Sequence, residues 1–196
     1  MIDAIKKKKL SKNVAVVAHE QTNGVGSRGN RWQAQKGDLL FSFAIEKEKL
    51  PDDLPLNSAS IYFAYLLKEL IEKDDKEVFL KWPNDFYKRK KKCGGVVTNF
   101  FQNTFVVGIG LNLVPRDEKY EFIKLKESPN SLLESYFLLL EKAPKWQEIF
   151  SKFRVEFKRS LGFFVHVSGR KISLKEALLQ SDGSIMIDNE RIYSLR

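Results

Sequence analysis

The sequence predicts an α+β fold in which a mixed, mostly antiparallel sheet is backed by helices. Strand-like apolar runs and segments with apolar residues at helical spacing follow one another only loosely, which argues against a doubly wound sheet. At 196 residues, of which 43% are hydrophobic, the chain can build one substantial core and a small appendage. We therefore predict a main domain over residues 1–161 and a small SH3-like β module over residues 162–196.

The predicted elements begin with two strands and a helix. A continuous apolar run over residues 13–18 predicts a buried strand, and residues 38–45 predict the next one. Between them, the glycine-rich residues 22–37 predict a loop. Residues 58–71 place apolar side chains at helical spacing, and Pro55 lies just before them, so we expect a helix there.

The middle of the chain predicts strands. A short apolar run over residues 78–81 is stopped by Pro83. Residues 86–87 and 95–101 flank a lysine-rich turn and predict a hairpin. Residues 105–113 predict a further buried strand, with glycines where another group approaches the backbone closely.

Two helices and several short strands complete the prediction. Ser131 begins a Ser-Leu-Leu-Glu run with capping-box spacing, which predicts a helix through Leu140. Pro144 lies where another helix starts, and Gly162 ends it. Residues 163–196 alternate short apolar runs with Ser-Gly, Asp-Gly and Asp-Asn turns, which predicts the β module.

The chain is basic, with a net charge of +9 and an isoelectric point near 9.5. Much of the excess lysine lies in two runs, over residues 6–9 and 88–92. Such a charge balance favours anionic partners, namely nucleic acid, phosphates or an acidic protein. A solvated lysine-rich surface explains it equally well.

Composition excludes several classes of protein. No apolar run approaches the ~20 residues of a membrane helix, and the basic N-terminus lacks the apolar segment of a secretory signal. The single cysteine, Cys93, cannot form an internal disulfide, and no cysteine or histidine cluster has the spacing of a zinc site. We expect a cytoplasmic protein and interpret Cys93 as a packing residue.

The first candidate segment is the glycine-rich loop that follows Glu20. Its glycines allow backbone N–H groups to close on an anion, its arginines suit phosphate or carboxylate, and its tryptophan offers a flat face for a ring. No helix follows the glycines, so this is not a dinucleotide fingerprint, and a flexible surface loop is the alternative. The candidate residues are Gln21, Gly24, Val25, Gly26, Ser27, Arg28 and Trp32.

The second candidate segment is the run Lys-Trp-Pro-Asn-Asp over residues 81–85, followed by Lys92 and Gly95. Its proline fixes a turn, and Asn84 and Asp85 can orient a ribose or a magnesium ion on phosphates. Lys92 is the cation best placed to reach back into such a site. The alternative is an exposed basic turn with ordinary turn-forming residues.

The third candidate segment is Gly-Ile-Gly-Leu-Asn over residues 108–112. Asn112 at the end of this predicted strand can hydrogen-bond a ligand, or it can cap the turn that follows.

In this order, the three segments resemble the catalytic domain of biotin protein ligases. Residues 81–85 match the most specific signature of that family without change, and Lys92 and Gly95 follow at the expected distance. The glycine-rich loop is similar to the family's Gly-Arg-Gly-Arg loop ending in tryptophan, and residues 108–112 are similar to its Gly-Ile-Gly-Ile-Asn segment. The resemblance runs from about residue 14 to residue 112, and more weakly through the β module.

The resemblance implies a two-step ligase that uses biotin and ATP with magnesium. The carboxylate of biotin attacks the α-phosphate to give biotinyl-5′-AMP, and a lysine of an acidic biotin carboxyl carrier domain then attacks the mixed anhydride. Lys92 would be the catalytic cation, and magnesium would accompany ATP near Asp85 without a protein cage. The resemblance assigns biotin or adenylate binding to Gln21, Gly24, Val25, Gly26, Ser27, Arg28, Trp32 and Gly95, and the nucleotide side to Asn84, Asp85, Asn112 and Arg196.

The chain departs from the family pattern in two places. Val25, Ser27 and Asn30 stand where the family often has arginines, which predicts weaker retention of the acyl-adenylate. Only 20 residues precede Gln21 and none forms the family's Ser-Thr-Asn motif, so we expect the strand and helix that carry it to be missing. The absence of room for a helix-turn-helix argues against DNA binding, and homodimerisation stays open.

Three other functions remain as alternatives. A lipoate ligase or octanoyl transferase shares the fold family but lacks the run over residues 81–85. A basic nucleic-acid-binding module explains the charge but not the placement of tryptophan, proline and glycine. A degenerate ligase retained as a binding protein is the third.

Overall fold

The computed structural model describes residues 4–5, 13–26, 31–167 and 169–193. Its central feature is a six-stranded sheet in which every neighbouring pair of strands is antiparallel. The first eight strands are β1 (Val14–Ala18), β2 (Gly24–Val25), β3 (Arg31–Trp32), β4 (Leu39–Glu46), β5 (Val78–Lys81), β6 (Asp85–Lys88), β7 (Lys91–Phe101) and β8 (Thr104–Leu111). The order across the sheet is β1-β4-β8-β7-β6-β5, while β2 and β3 form a separate short hairpin.

Three helices cover one face of this sheet and enclose an aromatic core. Phe41 and Phe43 point from β4 toward the helices, and their rings meet the ring of Tyr136 edge-on at 5.8 and 5.9 Å. Phe63 meets Phe43 in the same way at 5.4 Å. The helices are α1 (Ala59–Ile71), α2 (Pro129–Glu141) and α3 (Trp146–Glu156). The predicted α+β class is confirmed, and none of the helices in the described ranges is long and apolar enough to cross a bilayer.

The predicted β module consists of a two-stranded and a three-stranded antiparallel sheet. Two tryptophans attach it to the main domain: the indole N–H of Trp82 donates to the carbonyl of Gly183 at 2.9 Å, and that of Trp146 donates to the carbonyl of Ser181 at 3.0 Å. A domain boundary at residue 161 stays a prediction. The strands are β9 (Phe164–Val167), β10 (Arg170–Ser173), β11 (Leu178–Leu179), β12 (Ile185–Ile187) and β13 (Glu190–Ile192).

The predicted start of helix α2 was wrong by two residues. The helix begins at Pro129, and the hydroxyl of Ser128 accepts a hydrogen bond from the backbone N–H of Ser131 at 3.1 Å. Proline is favoured at the first helical position because its fixed φ suits the helix and its missing N–H needs no partner. Ser128 is therefore the N-cap, and Ser131 lies in the first turn.

The lysine-rich turn is shorter and less exposed than the sequence suggested. Strands β6 and β7 extend so far that only residues 89 and 90 lie between them. Lys88 is buried, and its ammonium lies 2.6 Å from the carboxylate of the buried Asp75. The exposed-turn alternative is therefore wrong for Lys88, which buries its charge in an ion pair.

Candidate active site

The candidate site lies on the sheet face opposite the helices. Successive strand residues point to opposite faces, so Leu40 and Ser42 face away from the core that Phe41 occupies. The strand register extends from these two positions into two rows across the sheet. One row is Ala18, Leu40, Gly110, Gly95 and Asp85, and the other is Val16, Ser42, Gly108 and Val97. Three glycines among nine positions leave this face hollow.

The hollow is a cavity of about 290 Å³, roofed in part by the glycine-rich loop. It brings together residues that lie up to 94 positions apart, from Val16 to Gly110. All three candidate segments reach it, because Gly108 and Gly110 form its floor. The predicted site residues that line it are Gln21, Val25, Gly26, Trp32, Asn84, Asp85, Lys92 and Gly95.

The charges of the site are concentrated at one end of the cavity. The ammonium of Lys92 lies 2.5 Å from one carboxylate oxygen of Asp85, and that of Lys81 lies 3.8 Å from the other. Lys81 is buried, whereas about 28% of the Lys92 side chain is exposed. Lys92 can therefore exchange its partner for an anionic ligand, while Lys81 remains to balance the charge of Asp85.

Trp32 forms a wall beside these charges. The ammonium of Lys92 lies 5.7 Å from the centre of the indole ring, within the range of a cation–π contact. The indole rests on Gly110: a Cβ atom at that position would lie 2.8 to 2.9 Å from three of its ring atoms. A Cβ at Gly95 would likewise lie 3.2 Å from the Asp85 carboxylate and 3.4 Å from the Lys92 side chain. These two glycines allow close packing of the wall and of the ion pair.

Asn84 is fixed by backbone contacts at the edge of the cavity. Its side-chain N–H₂ donates to the backbone carbonyl of Val96 at 2.5 Å. Its backbone carbonyl accepts a hydrogen bond from the backbone N–H of Val96 at 2.9 Å. The residue therefore locks the turn after the cis Trp82–Pro83 peptide onto β7. This arrangement holds Asp85 opposite Gly95.

Two predicted site residues lie beside the cavity, and others lie outside the described residues. A Cβ at Gly24 would lie 2.7 Å from the side-chain oxygen of Gln21, so the glycine allows the Gln21 side chain to pack closely against the backbone of β2. Asn112 is buried, and its N–H₂ donates to the carbonyl of Glu121 at 3.0 Å, which ties β8 to the segment that follows. Its side-chain oxygen has no partner in the described part of the chain. Ser27, Arg28, Asn30 and Arg196 lie outside the described residues.

A second, polar cavity of about 360 Å³ adjoins the first at Gln21 and Trp32. Arg116 lines it and forms a buried ion pair with Asp38, which also accepts the N–H of Leu113 at 3.1 Å. Two residues that line it each have a buried N–H group without a partner within the described ranges, namely Nε1 of Trp32 and Nε of Arg116. Sequence reasoning missed Asp38 and Arg116, since 77 intervening residues separate them and no motif marks either one.

The site offers little to a metal ion. The described residues contain no group of three or more His, Cys, Asp or Glu side chains that could hold one. The carboxylate of Asp85 already lies between two ammonium groups, which disfavours a further cation there. Burial raises the pKa of the Cys93 thiol, so this cysteine stays protonated near neutral pH and is a packing residue.

Comparisons with known proteins indicate the same family as the sequence motifs. The model of the biotin/lipoate A/B protein ligase family matches residues 2–114, more than half of the chain. Biotin–protein ligase 2 of Arabidopsis thaliana is 27% identical over 157 residues, which are 74% of this chain and 47% of the relative. The biotin–[acetyl-CoA-carboxylase] ligase of Mycobacterium tuberculosis is 29% identical over 113 residues, 55% of this chain and 42% of the relative. The chain thus spans less than half the length of these two curated relatives.

Solved structures show a likeness over nearly the whole chain. The biotin acetyl coenzyme A carboxylase synthetase of Helicobacter pylori, with bound biotinylated ATP, has a TM-score of 0.92 and 35% identity, covering 98% of this chain and 91% of its own. The biotin protein ligase of Aquifex aeolicus in complex with biotin and ATP has a TM-score of 0.74 at 22% identity, covering 99% and 90%, which supports the fold alone. The resemblance to biotin protein ligases is confirmed. The chain belongs to the biotin/lipoate A/B protein ligase family.

Proposed function

We propose that the chain is an ATP-dependent biotin ligase that forms biotinyl-5′-AMP and transfers the biotinyl group to a lysine of a carrier protein. The observation that carries this proposal is one cavity that Gln21 and Trp32 of the first candidate segment share with Asp85 and Lys92 of the second. The cavity has an apolar, glycine-floored interior and a charged end. Such a shape suits a ligand with an apolar ring and a terminal carboxylate.

In the first step, a carboxylate oxygen of biotin attacks the α-phosphorus of ATP. A new P–O bond forms, the bond to the β-phosphate breaks, and pyrophosphate leaves. Lys92 moves from Asp85 to the developing phosphate charge, which its ammonium stabilises in a site with little water. Trp32 keeps water from the reacting atoms, because its indole closes the cavity beside Lys92. Magnesium enters only as the ion carried by the phosphates of ATP.

In the second step, the neutral ε-amine of the acceptor lysine attacks the acyl carbon of biotinyl-5′-AMP. The amide bond forms, the acyl C–O bond to the phosphate breaks, AMP leaves, and the amine loses a proton. Lys92 stabilises the AMP phosphate as the leaving group. The glycine-rich loop, including Val25 and Gly26, has to shelter the anhydride from water until that amine arrives.

The nucleotide belongs in the polar cavity, on the far side of Trp32. Trp32 and Arg116 line this cavity, and each carries a buried N–H group that has no partner within the described ranges. The lining of this cavity is largely polar, and the edge of a purine offers both hydrogen-bond donors and acceptors to such a lining. The predicted roles of Ser27, Arg28 and Arg196 stay predictions.

The carrier protein is expected to be acidic, because the surface near the site is basic. Lys90 and Lys91 are exposed in the β6–β7 hairpin and can steer an acidic domain toward Lys92, whereas Arg89 is already paired with Glu77 and Glu121. Lys88 cannot contribute, since Asp75 neutralises it in the interior. A ligase that consumes ATP is expected in the cytoplasm.

Biotin-dependent exchange of pyrophosphate with ATP tests the proposal, because it requires only the first step. Lys92→Gln should lower the exchange rate about a hundredfold or more, as expected when a preorganised charge-stabilising group is lost. Lys91→Gln removes the same charge from the adjacent, exposed position and should leave exchange unchanged. Exchange that depends on lipoate in place of biotin would favour the alternative ligase. Absence of exchange with either acid, together with salt-sensitive binding of nucleic acid, would overturn the proposal.

A further inference from the structure

The end of the cavity next to β1 contains one hydroxyl group, that of Ser42. Ser42 interrupts the apolar run of β4 and faces the cavity between Val16 of β1 and Gly108 of β8. Among the described residues that line the cavity, no other side chain carries a hydroxyl. The Ser42 hydroxyl makes no hydrogen bond within the described ranges. An unpaired hydroxyl therefore lies among apolar neighbours.

Gly108 keeps the space over this hydroxyl open. A Cβ atom at Gly108 would meet only the Ser42 oxygen, at 3.5 Å, so the methyl group that glycine lacks would stand directly beside the hydroxyl. Val16 and Val97 close the same row on either side. The absence of a side chain at Gly108 leaves more room for a ligand atom beside the Ser42 hydroxyl.

Ser42 lies at the opposite end of the cavity from the charges. It is two strands and two residues away from Gly95, which by ordinary strand spacing is on the order of 12 Å. Gly95 contacts the Asp85–Lys92 pair. A ligand whose carboxylate lies at Lys92 therefore places its other end near Ser42.

We propose that Ser42 is a specificity-determining residue whose hydroxyl hydrogen-bonds the ureido group of the biotin ring. This inference rests on the proposed function, which places the carboxylate end of biotin at Lys92. A hydroxyl can donate and accept, and the ureido group offers N–H donors and a carbonyl acceptor. A plain acyl chain has neither and leaves the hydroxyl unpaired in an apolar surrounding. A site built around a polar contact discriminates against analogues that lack it.

Two nonhydrolysable acyl-adenylate analogues test the inference by binding alone. One carries the biotinyl group and the other an octanoyl group, so both keep the same contacts on the nucleotide side. Ser42→Ala should weaken the biotinyl analogue about threefold to tenfold, the effect of losing one neutral hydrogen bond, and leave the octanoyl analogue unchanged. Thr98→Val is the matched control, because Thr98 neighbours Val97 in β7 but lies outside the cavity lining. It should change neither affinity.

The outcomes separate this inference from the proposed function. Equal weakening of both analogues by Ser42→Ala would overturn it, because the residue would then act through cavity shape alone. An unchanged affinity for the biotinyl analogue would also overturn it, even when wild-type protein performs biotin-dependent exchange. Failure of the proposed function is recognised differently, by wild-type protein that neither exchanges pyrophosphate nor binds the biotinyl analogue. Retained binding of the octanoyl analogue by Ser42→Ala shows that the variant is folded.

Discussion

Two glycines of β8 provide a direct test of how Trp32 is held. Gly108 and Gly110 lie two residues apart, face the same side of the sheet and both lack a positive φ. A methyl group at Gly110 would lie 2.8 to 2.9 Å from three atoms of the Trp32 indole, whereas one at Gly108 would make an ordinary contact. Substituting alanine at each position therefore adds the same atoms with different consequences.

The expected effect of Gly110→Ala follows from how closely its new methyl group would approach the Trp32 indole. In Gly110→Ala, the new Cβ atom would lie 2.8 Å from the nearest atom of the Trp32 indole. The indole has to move away by about 0.6 Å to restore an ordinary contact of about 3.4 Å. Trp32 belongs to the short β2–β3 hairpin at the cavity rim, so this movement leaves the aromatic core intact, and we expect a loss of stability of no more than ~1 kcal/mol. Displacement of a positioning group by this order of distance costs roughly tenfold to a hundredfold in rate. Gly108→Ala should instead gain about 0.4–1 kcal/mol of stability, because alanine restricts the unfolded chain.

Acrylamide quenching of tryptophan fluorescence measures the displacement. Of the three tryptophans, Trp82 and Trp146 are buried and Trp32 is only partly so, which makes quenching report mainly on Trp32. Gly110→Ala should raise the quenching constant and slow biotin-dependent exchange, and Gly108→Ala should leave quenching unchanged. If the two variants have the same quenching constant, or if Gly110→Ala keeps the wild-type exchange rate, the position of the Trp32 indole does not depend on Gly110.

Four further predictions concern single side chains. Val25→Arg introduces an arginine that biotin protein ligases often carry at this position of the loop. It should slow release of biotinyl-AMP in the absence of acceptor by about tenfold. An unchanged release rate would show that an arginine at this position does not help to retain biotinyl-AMP. Burial alone raises the pKa of Asp75, but hydrogen bonds from Lys88 and the Lys124 N–H hold it below the usual value. The stability that this carboxylate contributes is therefore present above its unfolded pKa of ~3.9 and is lost as pH falls through the lower folded pKa. Asp75→Asn should cost about 3 kcal/mol at pH 7 and flatten the acid limb of the stability profile, as measured by urea titration at several pH values. Cys93 should react with a thiol reagent at pH 8 only after unfolding, and native-state labelling would show that it is accessible. Trp82→Phe should lower stability by ~1 kcal/mol or more through the lost hydrogen bond to the β module, measured as a shift in the urea midpoint.

Much of the sheet could be predicted because its strands have local signals. The apolar runs and the glycine and proline boundaries around β1, β4, β5 and β8 place those strands to within about two residues. The cap of α2 was misplaced because Ser128 and Ser131 both fit a capping pattern, and only the conformation of the chain at Pro129 decides between them. Local rules thus predicted which elements exist better than where they begin.

The fate of individual charges could not be predicted, because it depends on residues distant in sequence. Lys88 belongs to a run that looks exposed, yet Asp75, 13 residues earlier, draws it into the interior. Arg116 pairs with Asp38 across 78 residues. In both cases a carboxylate with no motif of its own determines whether a cation is structural or free to meet a ligand.

The signature over residues 81–85, the most specific sequence marker in the chain, divides its residues between two tasks. Trp82 is fully buried and binds the turn of the β module through Gly183, while Lys81 is buried beside the Asp85 carboxylate. Only Asn84 and Asp85 reach the cavity, and Asn84 does so while bonded to the backbone of β7. The run therefore connects three parts of the molecule: the module, the sheet and the ion pair of Lys92. A substitution at Trp82 should then disturb the site without touching a ligand. For this reason the residue pattern of a motif is a weak guide to which of its side chains line the cavity, and the strand register is a better one.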